Sequence, residues 1–478
     1  MKTRKRISLL LLICLGSIYS FTQTIQLKNT SFVTEIKGII KNYPEQILYL
    51  KECYSDNLRL LDSTITNKKG EFVFSKTNRK GLYKIEMKKD LFFHIIFDGN
   101  PIEIRTVFRH SLFDNFATDS LEVVKSEENT LFYKFLHLQL KINIANYWLL
   151  QMMRLYPIHD SFHPNIENEY LNRFKEMEEL IKKQILENPN TMALKIAKAY
   201  FQPVLPDWKE PDPDRNKIIA EHYFDYFNPS DSFYYKTNIL PEKIEILFSL
   251  FKNQTESQQW HEEQYRQVAD TFLQYTKDNS QNFEFVLNFI LKKFDKEKYF
   301  DALSYIYDKW IYISKSKDCS PIDTTFNWIR EKVSILRNIQ IGSTAPDFEI
   351  TGNNLNLYGL NADYCLLIFW ATWCPHCVET VPKIKQYIEE IQAKKDITLK
   401  VISVSLDSDS LAYKKYVLQN DLSSWFNTTE LKGWNGKVPK MYNIYATPTI
   451  FLLDKDKKII AKPETKLQIE SEINKGEK

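Results

Sequence analysis

Cys374 and Cys377 stand one helical turn apart, directly after the apolar run Leu366-Leu367-Ile368-Phe369-Trp370. Two thiols at that spacing can close a disulfide with little backbone movement. The run before them has the character of a buried strand, and the residues after them have helical periodicity. Cys374 therefore falls at a helix N-terminus, where unpaired N–H groups and the macrodipole favour a thiolate. Only the thiolate attacks a disulfide, so the pair predicts thiol–disulfide exchange. A structural zinc site would need four ligands, usually from a second Cys or His pair at matching spacing. The other cysteines, Cys14, Cys53, Cys319 and Cys365, are scattered singly, with no His-rich pair beside them. A Cys-x-x-Cys next to a βαβ pattern is the expected redox signature. A degenerate domain that keeps both cysteines without using them is the bland alternative.

The flanking elements are readable. Val381, Ile384, Tyr387, Ile388 and Ile391 mark one face of an amphipathic helix, kinked at Pro382. Leu399 to Leu406 reads as a strand and Ser410 to Gln419 as a helix. A second strand runs from Thr449 to Leu453, and a turn at Asp454 to Lys457 leads into Lys458-Ile459-Ile460-Ala461. This order predicts an α/β sheet with mixed strand direction.

These residues carry a family resemblance. The stretch from about Ile341 to Lys478 resembles the thioredoxin-like domain of the TlpA/ResA type, the periplasmic thiol–disulfide oxidoreductases. The matching pieces are Ile341-Gly342-Ser343-Thr344-Ala345-Pro346-Asp347-Phe348, then Phe369 through Cys377, then Thr447-Pro448-Thr449. The resemblance implies that Cys374 is the attacking thiol and Cys377 the buried, resolving one. It also implies a cis Pro448 that brings the Thr447 backbone beside the cysteines, to pair with an extended substrate segment. Trp373, Pro375 and His376 complete the motif as supporting residues. A turn proline is the plain alternative for Pro448.

Two positions depart from the family pattern. Many thioredoxins carry a buried acid just before Phe-Trp-Ala, where this chain has Ile368. ResA-like reductases often have Glu three residues after the second cysteine, where this chain has Thr380, with Glu379 one step earlier. A helix turns about 100° per residue, which carries Glu379 away from that place. Proton transfer then falls to water or to Glu379. The Pro375-His376 dipeptide is that of the oxidising DsbA-like enzymes, and a histidine beside the thiolate would make the disulfide more oxidising. A solvent-exposed His376 with little effect is the plain alternative. A peroxiredoxin assignment fits less well, because Thr372 precedes Cys374 by two residues, where that family places its threonine three before.

Lys2, Arg4, Lys5 and Arg6 precede an almost unbroken apolar run from Ile7 to Ile18, and Ser20 and Thr22 are small residues in cleavage position. Residues 1–22 therefore read as a secretory signal peptide cut before Gln23. The run is short for a spanning helix of roughly 20 residues. An uncleaved anchor is the alternative, while Ile13 before Cys14 disfavours a lipoprotein. Export and a redox pair agree with a periplasmic protein. Removing the four leader cations takes the formal charge from +3 to −1. With no clustered basic face, nucleic acid is an unsuitable partner.

A chain of 478 residues exceeds what one thioredoxin-like domain needs. The expected architecture is multi-domain: a small antiparallel β-sandwich over residues 30–118, a helical domain over 119–338 and the α/β thioredoxin-like domain over 339–478. The first rests on short alternating runs such as Ile47-Leu48-Tyr49-Leu50 and Leu82-Tyr83-Lys84-Ile85, with a turn at Asn67-Lys68-Lys69-Gly70. It resembles the β-domain that often precedes exported TlpA-like domains. Helical periodicity then takes over, from Leu131, Phe132 and Phe135 to Ile290 and Phe294, and Pro203, Pro206, Pro211 and Pro213 divide it. Its aromatic stripes read as packed core. Cys365 reads as a buried apolar thiol, and Cys53 and Cys319 are candidates to pair across two domains.

The expected function is reduction of client protein disulfides in the periplasm, with no metal and no cofactor. The resemblance implies recharging by a membrane electron donor of the DsbD/CcdA kind. The alternatives are a DsbA-like thiol oxidase or isomerase, and a non-catalytic client-binding module on a thioredoxin scaffold.

Overall fold

The computed structural model describes residues 35–75, 79–88, 91–109, 120–201, 212–312, 327–351 and 355–475. The expected signal peptide, with Cys14, Ser20, Thr22 and Gln23, lies outside the described residues, as do Pro203, Pro206, Pro211 and Cys319. The chain divides into two compact units, residues 1–299 and 300–478. Among the described residues, no helix is long and apolar enough to cross a membrane.

The first unit opens with eight strands: β1 (Ile36–Lys41), β2 (Ile47–Tyr54), β3 (Asn57–Ile65), β4 (Glu71–Phe74), β5 (Gly81–Lys88), β6 (Leu91–Phe97), β7 (Ile102–Val107) and β8 (Glu122–Lys125). They form two four-stranded sheets, ordered β4-β1-β7-β8 and β3-β2-β5-β6. The expected turn forms as the residues require. The Asn67 side chain accepts the N–H groups of Lys69 and Glu71. Gly70 holds φ at +78°, and a Cβ there would lie 2.1 Å from the Ile40 carbonyl, so only glycine fits. The sheets are not purely antiparallel, because β1 and β7 run parallel. Parallel neighbours need a long crossover, and here the connection from β1 to β7 includes the whole second sheet. Strand β8 is four residues long, too short to leave a readable alternation.

Helices follow, beginning with Glu127–Leu155 and His163–Glu187. Asn129 pins the first of them to the sheet: its amide donates to the Ile96 carbonyl and accepts the Ile96 N–H, completing the outer side of edge strand β6. Phe135, Ile142, Met177, Ile181, Leu194 and Phe201 pack into a core between this pair and the short helix Met192–Tyr200. Ile239–Leu250, Gln258–Thr276 and Ser280–Glu297 extend the helical part, with Phe248, Phe272 and Phe294 fully buried. These aromatic stripes are core.

The second unit holds helices Phe300–Ile306 and Asn327–Asn338 and then a thioredoxin-like α/β domain. A small hairpin, β9 (Glu349–Ile350) with β10 (Leu355–Asn356), precedes strands β11 (Tyr364–Trp370), β12 (Leu399–Ser405), β13 (Phe426–Thr429), β14 (Thr449–Asp454) and β15 (Ile459–Ala461). The sheet order is β13-β12-β11-β14-β15, with β11, β12 and β13 parallel and β14 and β15 antiparallel to their neighbours. Strand β11 lies at the centre, and Cys365 through Trp370 are all fully buried. That is why the sequence there is a continuous apolar run and not an alternating one. Phe369 meets Tyr442 and Phe451 with ring centroids 5.3 and 6.1 Å apart. The Trp370 indole N–H donates to Ser403 Oγ at 2.6 Å, which satisfies the one polar atom of the largest buried ring. The sequence pattern did not signal β13 or the short helix Lys437–Met441.

Because Phe369 sits where β11 hands over to the cysteine pair, Phe369→Ala should cost about 3–5 kcal/mol, as a buried aromatic truncation does. A denaturant midpoint of the full chain unchanged from wild type would contradict this placement of the core.

Candidate redox site

The strand β11 ends at Trp370, and the chain turns through Ala371-Thr372-Trp373 into the helix Pro375–Lys394. Cys374 is the N-cap of that helix. Its Sγ accepts the backbone N–H of Cys377 at 3.2 Å, so the sulfur occupies the position that Ser or Asp usually takes. Pro375 follows at N1, where a missing N–H costs nothing. The helix N-terminus and the reactive sulfur are thus one feature.

The two thiols differ sharply. Cys377 is 0 % exposed, whereas Cys374 keeps 6 % of its surface. Burial, then its hydrogen bond with Cys374, pushes the Cys377 thiol up to about 12. Burial alone would raise Cys374 as well. Hydrogen bonding to the Cys377 thiol and Thr447, and to the backbone of Cys377 and His376, outweighs that and holds Cys374 below the ordinary thiol range. His376 acts on the sulfur through its backbone; its side chain is exposed.

The Thr447–Pro448 peptide is cis, and the Cys374 thiol donates to the Thr447 carbonyl at 3.3 Å. Strand β14 starts at Thr449, immediately after this peptide, and pairs with β11 through Phe369↔Thr449. That register is what brings Thr447 and Pro448 to the cysteines. Trp373 is 52 % exposed beside Cys374. Glu379 lies two residues beyond Cys377, roughly 200° around the helix. It is exposed and paired with Lys383 at 2.6 Å, and that hydrogen bond lowers its carboxyl below the usual range. The structure therefore does not bring Glu379 to the buried thiol. Ile368 is fully buried and apolar, so no acid stands at that position either.

Two residues that sequence reasoning passed over hold the site. Asp407, 1 % exposed, follows β12. Its carboxylate accepts the Thr372 N–H at 3.1 Å, the Thr372 hydroxyl at 2.6 Å and the Ser405 hydroxyl at 2.6 Å. No local pattern marks this contact: it follows from the pairing of β11 with β12, where Trp370↔Ser405 sets Thr372 opposite Asp407 two residues on. Tyr416 is the other. Pro382 has no N–H for the Val378 carbonyl one turn back, and the Tyr416 hydroxyl donates to that carbonyl at 3.3 Å. The Tyr416 ring lies 4.8 Å from that of Trp370. Burial, then the charge of Cys377 and Cys374, raises its phenol to about 12.

Cys365 is fully buried on β11, and burial raises its thiol. Cys53 is a free thiol in the first unit, pushed up to about 12 by burial; its candidate partner Cys319 lies outside the described residues.

A family model described as thioredoxin-like matches residues 361–459. The thiol-disulfide oxidoreductase ResA of Bacillus thuringiensis subsp. konkukian is 33% identical over 144 residues, which is 29% of this chain and 79% of that protein. A thioredoxin-like protein of Haemophilus influenzae is 32% identical over 111 residues, 23% of this chain and 60% of that one. Among solved structures, a thioredoxin-like protein from Bacteroides caccae aligns with 22% identity over 56% of this chain and 95% of its own, at a TM-score of 0.35.

Removing the Asp407 carboxylate should loosen the turn that carries Cys374. Asp407→Ala leaves three donors without their acceptor and should cost about 3 kcal/mol, while Asp407→Asn, which keeps one acceptor oxygen, should cost less. Equal stability of Asp407→Ala and wild type in denaturant titration would refute this role. Alkylation of the reduced protein gives a second check. The thiolate fraction of Cys374 grows as pH rises through its pKa, and that pKa is lowered. Its iodoacetamide rate should therefore reach half-maximum at a lower pH than that of a free thiol, with Cys377 unlabelled across the same range. A midpoint at or above the free-thiol value would contradict the geometry.

Proposed function

This chain belongs to the family of ResA-type, thioredoxin-like thiol–disulfide oxidoreductases, and on that premise we propose that it reduces disulfides of client proteins in the periplasm. The observation that carries this reading is the asymmetry of the pair: a slightly exposed Cys374 thiol lowered at a helix N-cap, over a fully buried Cys377 thiol held protonated.

The chemistry follows from that asymmetry. Cys374 as thiolate attacks one sulfur of a client disulfide. A mixed disulfide forms between Cys374 and the client, and the other client sulfur leaves as a thiolate that takes up a proton. Cys377 then loses its proton and attacks the Cys374 sulfur, which releases the second client thiol and closes the Cys374–Cys377 disulfide. Two electrons and two protons reach the client, and the protein ends oxidised. Pairing of the Thr447 backbone with an extended client segment is part of this reading, and the contact of Cys374 Sγ with the Thr447 carbonyl supports it. Trp373, Pro375 and His376 support the motif: the first as an exposed apolar wall, the second by starting the helix, the third through its backbone.

With Glu379 on the outer face and Ile368 apolar, the Cys377 proton must pass to water or to the departing client thiolate. The cycle needs a dithiol to restore the reduced pair, and a membrane donor of the DsbD/CcdA kind has the right chemistry. The leader-like pattern of residues 1–22 supports export. The Pro375-His376 dipeptide favours the opposite direction, thiol oxidation. Against that, the printed contact of His376 with Cys374 is through its backbone, and its side chain is exposed to solvent.

The reduction potential of the Cys374–Cys377 pair decides the direction. Equilibration of the full chain in dithiothreitol or glutathione buffers should give about −270 mV or lower. A value near roughly −120 mV would reassign the protein to disulfide formation. Cys374→Ser should abolish disulfide reduction, and Cys377→Ser should trap the mixed disulfide with the client.

A further inference from the structure

Trp373 does not stand alone at the reactive thiol. The Trp434 ring, on the 3-10 turn Gly433–Asn435, lies 5.8 Å from it at an interplanar angle of 56°. Both rings are largely in solvent, at 52 % and 40 % exposure. An exposed indole pair beside a nucleophile exposes costly apolar surface that a partner would cover. The loop that presents Trp434 is firmly built. Glu430 Oε2 accepts the Val438 N–H at 2.9 Å, and the same oxygen lies 2.5 Å from where a Cβ on Gly436 would stand. Gly433, at φ +55°, makes the preceding bend.

The segment that presents Trp434 carries mostly one sign of charge. Between Glu430 and Tyr445 the chain has three lysines, Lys432, Lys437 and Lys440, and Glu430 is the single acid. The Glu430 carboxylate is engaged with the Val438 N–H. All three lysines are exposed, and among the described residues none has a carboxylate partner. Lys437 and Lys440 are three residues apart on the helix Lys437–Met441, so they share a face. Surface lysines alone would mean only solubility. These three flank an exposed tryptophan that touches the residue next to the attacking cysteine.

We infer that Trp373 and Trp434, rimmed by Lys432, Lys437 and Lys440, form the client-selecting surface, and that it fits a disulfide-bonded polypeptide segment with an apolar or aromatic side chain next to the attacked cysteine and Asp or Glu around it. This rests on the redox reading above. The client cystine must reach Cys374, so the residues around it pass over the indole pair. The apolar side chain covers the indoles, and the acidic residues meet the lysine rim. The electrostatic part acts within about one Debye length, roughly 10 Å at 0.1 M salt, and is expressed mainly in the rate of encounter.

The test uses the reduced full chain in single-turnover reactions with two oxidised peptides of the same apolar residue, one with acidic and one with basic flanks. The wild-type second-order rate constant should be roughly tenfold or more higher for the acidic peptide at low salt. That ratio should shrink towards unity in high salt. The variant Lys432→Glu/Lys437→Glu/Lys440→Glu should invert the preference, a change that a merely structural role would not produce. Trp434→Ala should slow reduction of the apolar peptide and not of a matched one with glycine in that place. Equal wild-type rates for the two charged peptides, or a ratio unmoved by charge reversal, overturn the inference and leave the redox reading intact. A wild-type protein that reduces neither peptide and does not exchange with glutathione overturns both.

Discussion

The hydrogen bond from the Cys377 N–H to Cys374 Sγ ties the reactive sulfur to the start of a helix, and the site is arranged around it. A helix leaves its first N–H groups without partners, and any acceptor placed there is drawn towards negative charge. When that acceptor is a thiol, satisfying the helix and activating the sulfur become a single interaction. One turn on, Cys377 inherits the opposite fate. It faces the apolar core behind the helix, where a charge would be unsolvated, so its thiol is held well above the ordinary range. The order of events in exchange follows from which of two chemically identical side chains is buried.

That N-cap can exist only because its position is fixed from three directions. Strand β11 delivers the chain from the centre of the sheet, with every side chain from Cys365 to Trp370 buried. Asp407 catches the backbone and the hydroxyl of Thr372, two residues before the cap. Strand β14 sets Thr447 and Pro448 opposite the sulfur. Pro382, having no N–H, leaves the Val378 carbonyl without its intrahelical partner, and the Tyr416 hydroxyl supplies another. A buried carboxylate that accepts three hydrogen bonds resists displacement, because losing it would strand every donor at once. The turn is rigid for that reason, although it is a connection between elements.

The polar edge of the site is spare by comparison. Ile368 closes the floor with hydrocarbon, and Glu379 is held outward by Lys383. Neither residue offers Cys377 a carboxylate, and the exposed side of the site carries the Trp373–Trp434 indole pair. Chemistry and recognition share one small surface, with the sulfur at its centre. The eight strands and the long helices of the first unit carry their own core.

By itself the sequence showed the closely spaced cysteine pair, the strand before it, the helix with Pro382 after it and the family they resemble. Each of these is local: a spacing of three residues, an apolar run, a period of 3.6, a proline where a helix continues. The alternating runs of the β region were legible for the same reason, and the parallel pairing of β1 with β7 was not, because strand direction depends on a crossover that no local pattern encodes. Only the tertiary structure decided that Asp407 meets Thr372, that Tyr416 reaches the Val378 carbonyl and that Trp434 stands against Trp373. All three join residues far apart in the chain, through the register of β11 with β12 or through loops between strands. Their meeting is a property of how the sheet closes, and helix or strand periodicity carries no record of it.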